Sequence, residues 1–128
     1  MSEPDVEIRR VYGESAAGAA GRGEHRILVD RLWPRGIAKA DATWEEWAKD
    51  VAPSTELRRW YGHDVERWDE FVTRYRAELA EAPASDALAH LEELAAAGKL
   101  VLLTATKDVE HSAAWVLEHT IADKGTKR

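Results

Sequence analysis

There is no cysteine in these 128 residues. That excludes disulfides, thiol nucleophiles and cysteine-ligated zinc. No stretch is apolar for long enough to span a bilayer. The first residues, with Glu3 and Asp5, lack the basic and apolar regions of a secretory signal, so a cytoplasmic location is expected. An excess of positive charge is missing too, with 18 Lys and Arg against 24 Asp and Glu and a formal net charge of −6. Non-specific binding to nucleic acid or to a membrane needs a broad basic surface, so neither is expected. A local basic pocket stays compatible with that balance. The hydrophobic share of 45% suits a globular chain of one domain with its own core. Tryptophan is abundant, and five of the six lie between Trp33 and Trp68.

The stretch that organises the chain runs from Ile27 to Gly36. Ile27-Leu28-Val29 is continuously apolar, as in a strand buried on both faces. Asp30 and Arg31 follow, and then Pro34 and Gly36 break the chain around Arg35. A buried strand over His25 to Arg31 emptying into a ligand-holding loop has this form. Leu100 to Leu103 is a second buried strand, ending in Thr104-Ala105-Thr106-Lys107-Asp108. Val6, Ile8 and Val11 alternate with charged residues and predict a half-exposed edge strand. Residues 13–23 read as a flexible glycine-rich loop, and 1–5 and 123–128 as flexible ends.

Between the strands the pattern is helical. Thr43-Trp44-Glu45-Glu46 matches a capping box and predicts a helix from Trp44 to Pro53, with Trp44, Trp47, Ala48 and Val51 on one face. Ser54 caps a short helix with Leu57, Trp60 and Tyr61 inward, ending at Gly62. Asp64 caps a longer one to about Glu81, with an apolar stripe of Val65, Trp68, Phe71, Val72, Tyr75 and Leu79. Glu70, Arg74 and Glu78 form a solvated row at spacing four. Ser85 caps the next helix, which turns Leu88, Leu91 and Leu94 inward and stops at Gly98. Asp108 caps the last, whose inner face is Ala113, Val116, Leu117 and Ile121. Strands separated by helices imply a single α/β domain over 1–128, with a small, mainly parallel sheet flanked by helices in a Rossmann-like layering.

Ligands in such folds bind beyond the carboxyl ends of the strands, where both buried strands carry their polar clusters. Arg31, Arg35, Lys49 and Lys107 would hold an anion there. Asp30, His63 and His111 are the candidates for moving protons, and Trp33, Arg59 and Thr104 complete the expected ligand-binding set. Each has a structural alternative. Arg31 can pair with Asp30 or cap a helix end, Asp108 is better suited to capping than to catalysis, and His111 can be a surface residue near a helix dipole. The tryptophans suit core and pocket wall better than a base-stacking platform. His63-Asp64 invites a metal, but a metal needs a third ligand in reach, so neither a metal nor a cofactor is expected.

The segments VDRLWPRG (29–36), WAKDVAPS (47–54), LRRWYGHD (57–64), FVTRYRAEL (71–79) and LLTATKD (102–108) resemble the bacterial YeaO-like family, a domain of unknown function numbered 488. The resemblance runs from about Ile8 to Leu117. It implies a small cytoplasmic bacterial α/β protein and names no reaction. Relatives in the wider group carry a cysteine-histidine-arginine cluster after the last strand. This chain is similar to the branch with His111-Ser112-Ala113 there, so chemistry that depends on the cysteine is not implied. Three readings follow. The first is a pocket for a nucleotide, phosphate ester or carboxylate, in a small-molecule enzyme. The second is a non-catalytic module that binds nucleic acid or a regulator through Arg58, Arg59, Trp60 and Tyr61. The third is a structural protein whose motif residues are used up by internal pairing. The oligomeric state is left open.

Overall fold

The computed structural model describes residues 5–12 and 24–126. The loop expected over 13–23 and the outermost ends lie outside the described residues. Four strands form one parallel sheet: β1 (Asp5–Arg10), β2 (Glu24–Leu28), β3 (Glu46–Trp47) and β4 (Lys99–Thr104), in the order β1-β4-β2-β3. Among the described residues four helices accompany them: α1 (Thr55–Tyr61), α2 (Trp68–Leu79), α3 (Ala84–Ala97) and α4 (Ala113–Thr126). The fold is an α/β layered domain. No helix among the described residues is long and apolar enough to cross a membrane.

β4 lies between β1 and β2, with Lys99 level with Asp5 on one side and Glu24 on the other. That central place explains its continuous apolar run, because neither face meets water and Leu100 to Leu103 are at most 1% exposed. Alternation along the strands divides the core in two. Leu100, Leu102, Ile27 and Val29 meet all four helices, through residues such as Tyr75, Leu91 and Leu117. Leu28, Val101 and Leu103 turn the other way, onto Val11 and Trp44, with Trp33 and Trp47 packed around them. No helix among the described residues covers that second face. Trp33 meets Trp44 and Trp47 edge-on, at 5.1 and 5.5 Å between ring centroids. Towards the amino ends of the strands the same face carries Glu7, Arg9, Glu24, Arg26 and Lys99. Lys99 pairs with Glu7 at 2.7 Å and Arg9 with Glu24 at 3.1 Å.

Several local expectations are corrected. The capping box at Thr43 starts no helix. Glu46–Trp47 is a strand on the outside of β2, pairing Ile27 with Glu46 and Leu28 with Trp47, and only a 3-10 turn, Lys49–Val51, follows. Glu46, which would have closed the box, lies in that strand with its carboxylate 3.0 Å from His90, and its neighbour Glu45 accepts from the Arg26 N–H. Ser54 does cap α1, accepting from the Leu57 N–H, and the helix stops at Gly62 in the left-handed conformation with φ +52°. Asp64 caps a 3-10 turn, Val65–Arg67, and α2 begins at Trp68, which leaves Val65 51% exposed rather than in the stripe. Ser85 makes no cap, since α3 starts a residue earlier behind Pro83. The tail from Asp123 is helical through Thr126. Asp108 does not cap α4; its carboxylate turns to His111, and Ser112 accepts from the Trp115 N–H at that helix start.

Candidate functional site

β2 and β4 run side by side in the same direction, so their carboxyl ends open at one edge of the sheet. β2 ends at Leu28, and the Val29 N–H still donates to the Leu103 carbonyl. Asp30 is the first residue free to turn. One of its carboxylate oxygens accepts from the Thr104 hydroxyl and the other from the Ala105 N–H, each at 2.7 Å. Its backbone carbonyl accepts from the Trp47 indole at 2.7 Å. The acid therefore ties β2, β3 and β4 together where they end. Burial pushes its pKa above the ordinary carboxylate value, against the pull of these two hydrogen bonds and of the nearby Arg58 guanidinium.

Around Asp30 lies a cavity of about 440 Å³, within the size range of small-molecule sites. The loop after β2 forms one wall, with Arg31, Leu32, Trp33 and Arg35. Gly36, at φ +80°, makes the turn that brings this loop back. Two bonds hold it: the Trp33 indole donates to the Ile37 carbonyl and the Tyr12 hydroxyl to the Arg35 carbonyl, at 2.6 and 2.8 Å. The opposite wall comes from Arg58, Tyr61 and His63 at the end of α1, and from His111 and Ser112 before α4. The Tyr61 hydroxyl donates to the His111 carbonyl at 2.9 Å, and the Tyr61 ring stacks on Phe71. His111 Nδ1 lies 2.9 Å from the Asp108 carboxylate.

The expected site residues thus divide. Asp30, Arg31, Trp33, Arg35, His63 and His111 all line the cavity. Lys49, Arg59, Thr104 and Lys107 do not. Lys49 lies over the Trp47 ring at 5.2 Å, Arg59 and Lys107 are exposed, and Thr104 is buried beneath the site with its hydroxyl on Asp30. Arg31 lines the cavity with two of its guanidinium's five N–H donors already used. Its Nε donates to the Pro53 carbonyl and its Nη2 to the Ala52 carbonyl, both at 3.0 Å. Arg58, expected only in the nucleic-acid reading, lines the cavity and was missed as a pocket residue. It stands three before Tyr61 on α1, on the same helix face, and that spacing could have selected it over Arg59. Its guanidinium has no hydrogen-bond or ion-pair partner among the described residues beyond the through-space attraction of Asp30.

Ser112 is 3% exposed, and its hydroxyl donates to the Val109 carbonyl at 2.7 Å while accepting from the Trp115 N–H at 3.4 Å. It serves the start of α4 rather than the pocket. Among the described residues no group of three or more His, Asp or Glu side chains is placed to hold a metal ion.

Asp30 sets a pH test with a definite sign. Its raised pKa means that the charged form disfavours the folded state, so stability from this group is present at low pH and is lost as pH rises through its folded pKa. The same charge opposes an anion in the pocket. With sulfate as a probe that keeps its charge across the range, Asp30→Asn is expected to bind more tightly than the wild type near neutrality. The ratio should shrink towards one as pH falls through Asp30's own titration, above the ordinary 3.8. A ratio flat with pH in parallel calorimetric titrations would show that Asp30's charge is not felt there.

Comparison with known proteins adds the following. Residues 5–128 match the family described as the inactive DUF488-N3 subclade. An uncharacterised protein of Mycobacterium tuberculosis is 47% identical over 117 residues, covering 91% of this chain and 93% of that protein. One of Mycobacterium bovis matches to the same extent. The uncharacterised protein YeaO of Escherichia coli is 39% identical over 113 residues, covering 88% of this chain and 93% of its own length. No solved structure matches significantly.

Proposed function

The chain belongs to the YeaO-like DUF488 family, in the subclade described as inactive, and from that premise we propose that its pocket binds a small anionic ligand without transforming it. The ligand class is a nucleotide, phosphate ester or carboxylate. The observation behind this reading is the convergence of Arg31, Arg35 and Arg58 on one cavity with a single acid, Asp30, in a chain whose net charge is −6. Arg35 and Arg58 carry the role, because Arg31 is tied to two backbone carbonyls. The subclade's description and the engaged Ser112 hydroxyl favour binding over catalysis. With it go a cytoplasmic location and a Rossmann-like use of the sheet's carboxyl edge.

The nucleic-acid alternative has less behind it. Tyr61 is buried, and the Trp60 ring is covered by the guanidinium groups of Arg67 and Arg74 at 5.3 and 4.3 Å. The stretch from Arg58 to Tyr61 therefore offers no continuous stacking surface for bases.

The test is calorimetric titration with sulfate, phosphate and pyrophosphate, on the wild type and on Arg58→Ala. Binding should weaken about tenfold or more in the variant, the loss of one charge-assisted contact. Its thermal unfolding should move little, because the removed guanidinium holds no other group. An absence of binding to all three anions, or equal binding by the variant, defeats the reading.

A further inference from the structure

We infer that the pocket is built for a guanine nucleotide, with Asp30 and Arg58 reading the base and Arg35 holding the phosphate. The inference rests on the anion-binding reading and deepens it. A bare anion gains nothing from Asp30, whose carboxylate lines the same cavity as the arginines. Both carboxylate oxygens take one hydrogen bond from the protein, from Thr104 and from Ala105. A carboxylate oxygen has room for a second donor, so the pair of oxygens can receive two N–H groups from a ligand. Arg58 lines the same cavity as Asp30 without forming an ion pair to it, and its guanidinium has no hydrogen-bond or ion-pair partner among the described residues.

An acceptor pair beside a donor fork is a specific template. Guanine supplies its complement on neighbouring edges: N1–H with the 2-amino group for the carboxylate, and O6 with N7 for the guanidinium. Adenine has only one exocyclic donor and lacks the N1–H, and a dicarboxylate offers Asp30 nothing. The walls suit a planar ring. Phe71, which is buried, and Trp33 and Leu32 from the loop are among the lining residues. Leu32 is 62% exposed, an apolar side chain left in water at the lip. Arg35, exposed on the same loop, is placed where a 5′-phosphate would leave the pocket.

The experiment is calorimetric titration of the full chain with GMP, IMP, AMP, XMP, guanosine and inorganic phosphate, repeated with Asp30→Asn. In the wild type GMP should bind about tenfold or more tightly than AMP and inorganic phosphate, and several-fold more tightly than IMP, which lacks the 2-amino group. Guanosine should bind measurably, and more weakly than GMP. An asparagine can still accept from the Ala105 N–H and meet the Thr104 hydroxyl while turning an N–H to the ligand. Asp30→Asn should therefore weaken GMP about tenfold and improve XMP, which has a carbonyl in place of that amino group. Equal binding of GMP and phosphate by the wild type would overturn the base assignment while leaving the anion site standing. No binding of any ligand would overturn both. Should Asp30→Asn fail to fold, the wild-type series of GMP, IMP and AMP decides alone, and equal affinities across it reject the proposal.

Discussion

Replacing Arg31 with alanine is expected to destabilise the protein by about 3 kcal/mol and to lower its thermal midpoint by roughly 10 °C. The reason is where its donors go. Nε and Nη2 reach the carbonyls of Pro53 and Ala52, both buried residues in the short connection between the Lys49–Val51 turn and α1. Buried carbonyls must be satisfied, and water entering from the cavity could meet them without holding the loop to the helix start as the fork does. The arginine is a strut between the loop after β2 and the start of the helix that carries Arg58 and Tyr61. Arg31→Lys should recover part of the loss, since an ammonium lacks the planar fork that meets two adjacent acceptors at once. Chemical denaturation measures the stability, and sulfate titration well below the midpoint measures the pocket. The affinity loss should be smaller than for Arg58→Ala. An Arg31→Ala protein as stable as wild type that no longer binds sulfate would show that the side chain works on the ligand instead.

The large features of this fold are written in the order of apolar residues. Ile27-Leu28-Val29 and Leu100 to Leu103 are apolar on consecutive positions because β2 and β4 are inner strands covered on both faces, and their polar exits mark the edge where the cavity lies. Asp30, Arg31 and Arg35 were visible for that reason. What was hidden depends on partners far away in sequence. The spacing of Trp44, Trp47 and Val51 fits a helix face, yet the backbone there extends the sheet beside β2, and Trp33, Trp44 and Trp47 gather over the face that no helix among the described residues covers. A capping box is a local signal, and tertiary demand overrode it. Asp108 is a good cap by composition, but His111 competes for its carboxylate three residues on. Arg58 and Arg59 are adjacent and alike on paper. The spacing of Arg58 to Tyr61 is the one local sign that separates them, and the turn of α1 against the strand ends is what puts Arg58 on the cavity.

Glu78 shows the same principle with a measurable consequence, for it is expected to matter about as much as Arg31. The spacing of Glu70, Arg74 and Glu78 suggests one solvated row, and Arg74 does pair with Glu70. Glu78 instead turns across to α1. One carboxylate oxygen accepts from the Ser54 N–H at 2.8 Å, and the other from the Ser54 hydroxyl at 2.6 Å. That same hydroxyl oxygen accepts from the Leu57 N–H at 3.1 Å, so Glu78 orients the serine that caps the helix. A helix of seven residues has little stability of its own, and its start depends on this arrangement. Glu78→Ala should destabilise the protein by about 2–4 kcal/mol, because two charge-assisted bonds at a half-buried helix end are lost together. Glu78→Gln keeps one acceptor oxygen and should fall between. A double-mutant cycle with Ser54→Ala isolates the pair, with an expected coupling of about 1–2 kcal/mol. Sulfate affinity should fall in parallel, because Arg58 stands on the seven-residue helix that this cap secures. Coupling near zero, with Glu78→Ala as stable as the wild type, would mean that α1 is held by the burial of Leu57 and Tyr61 alone.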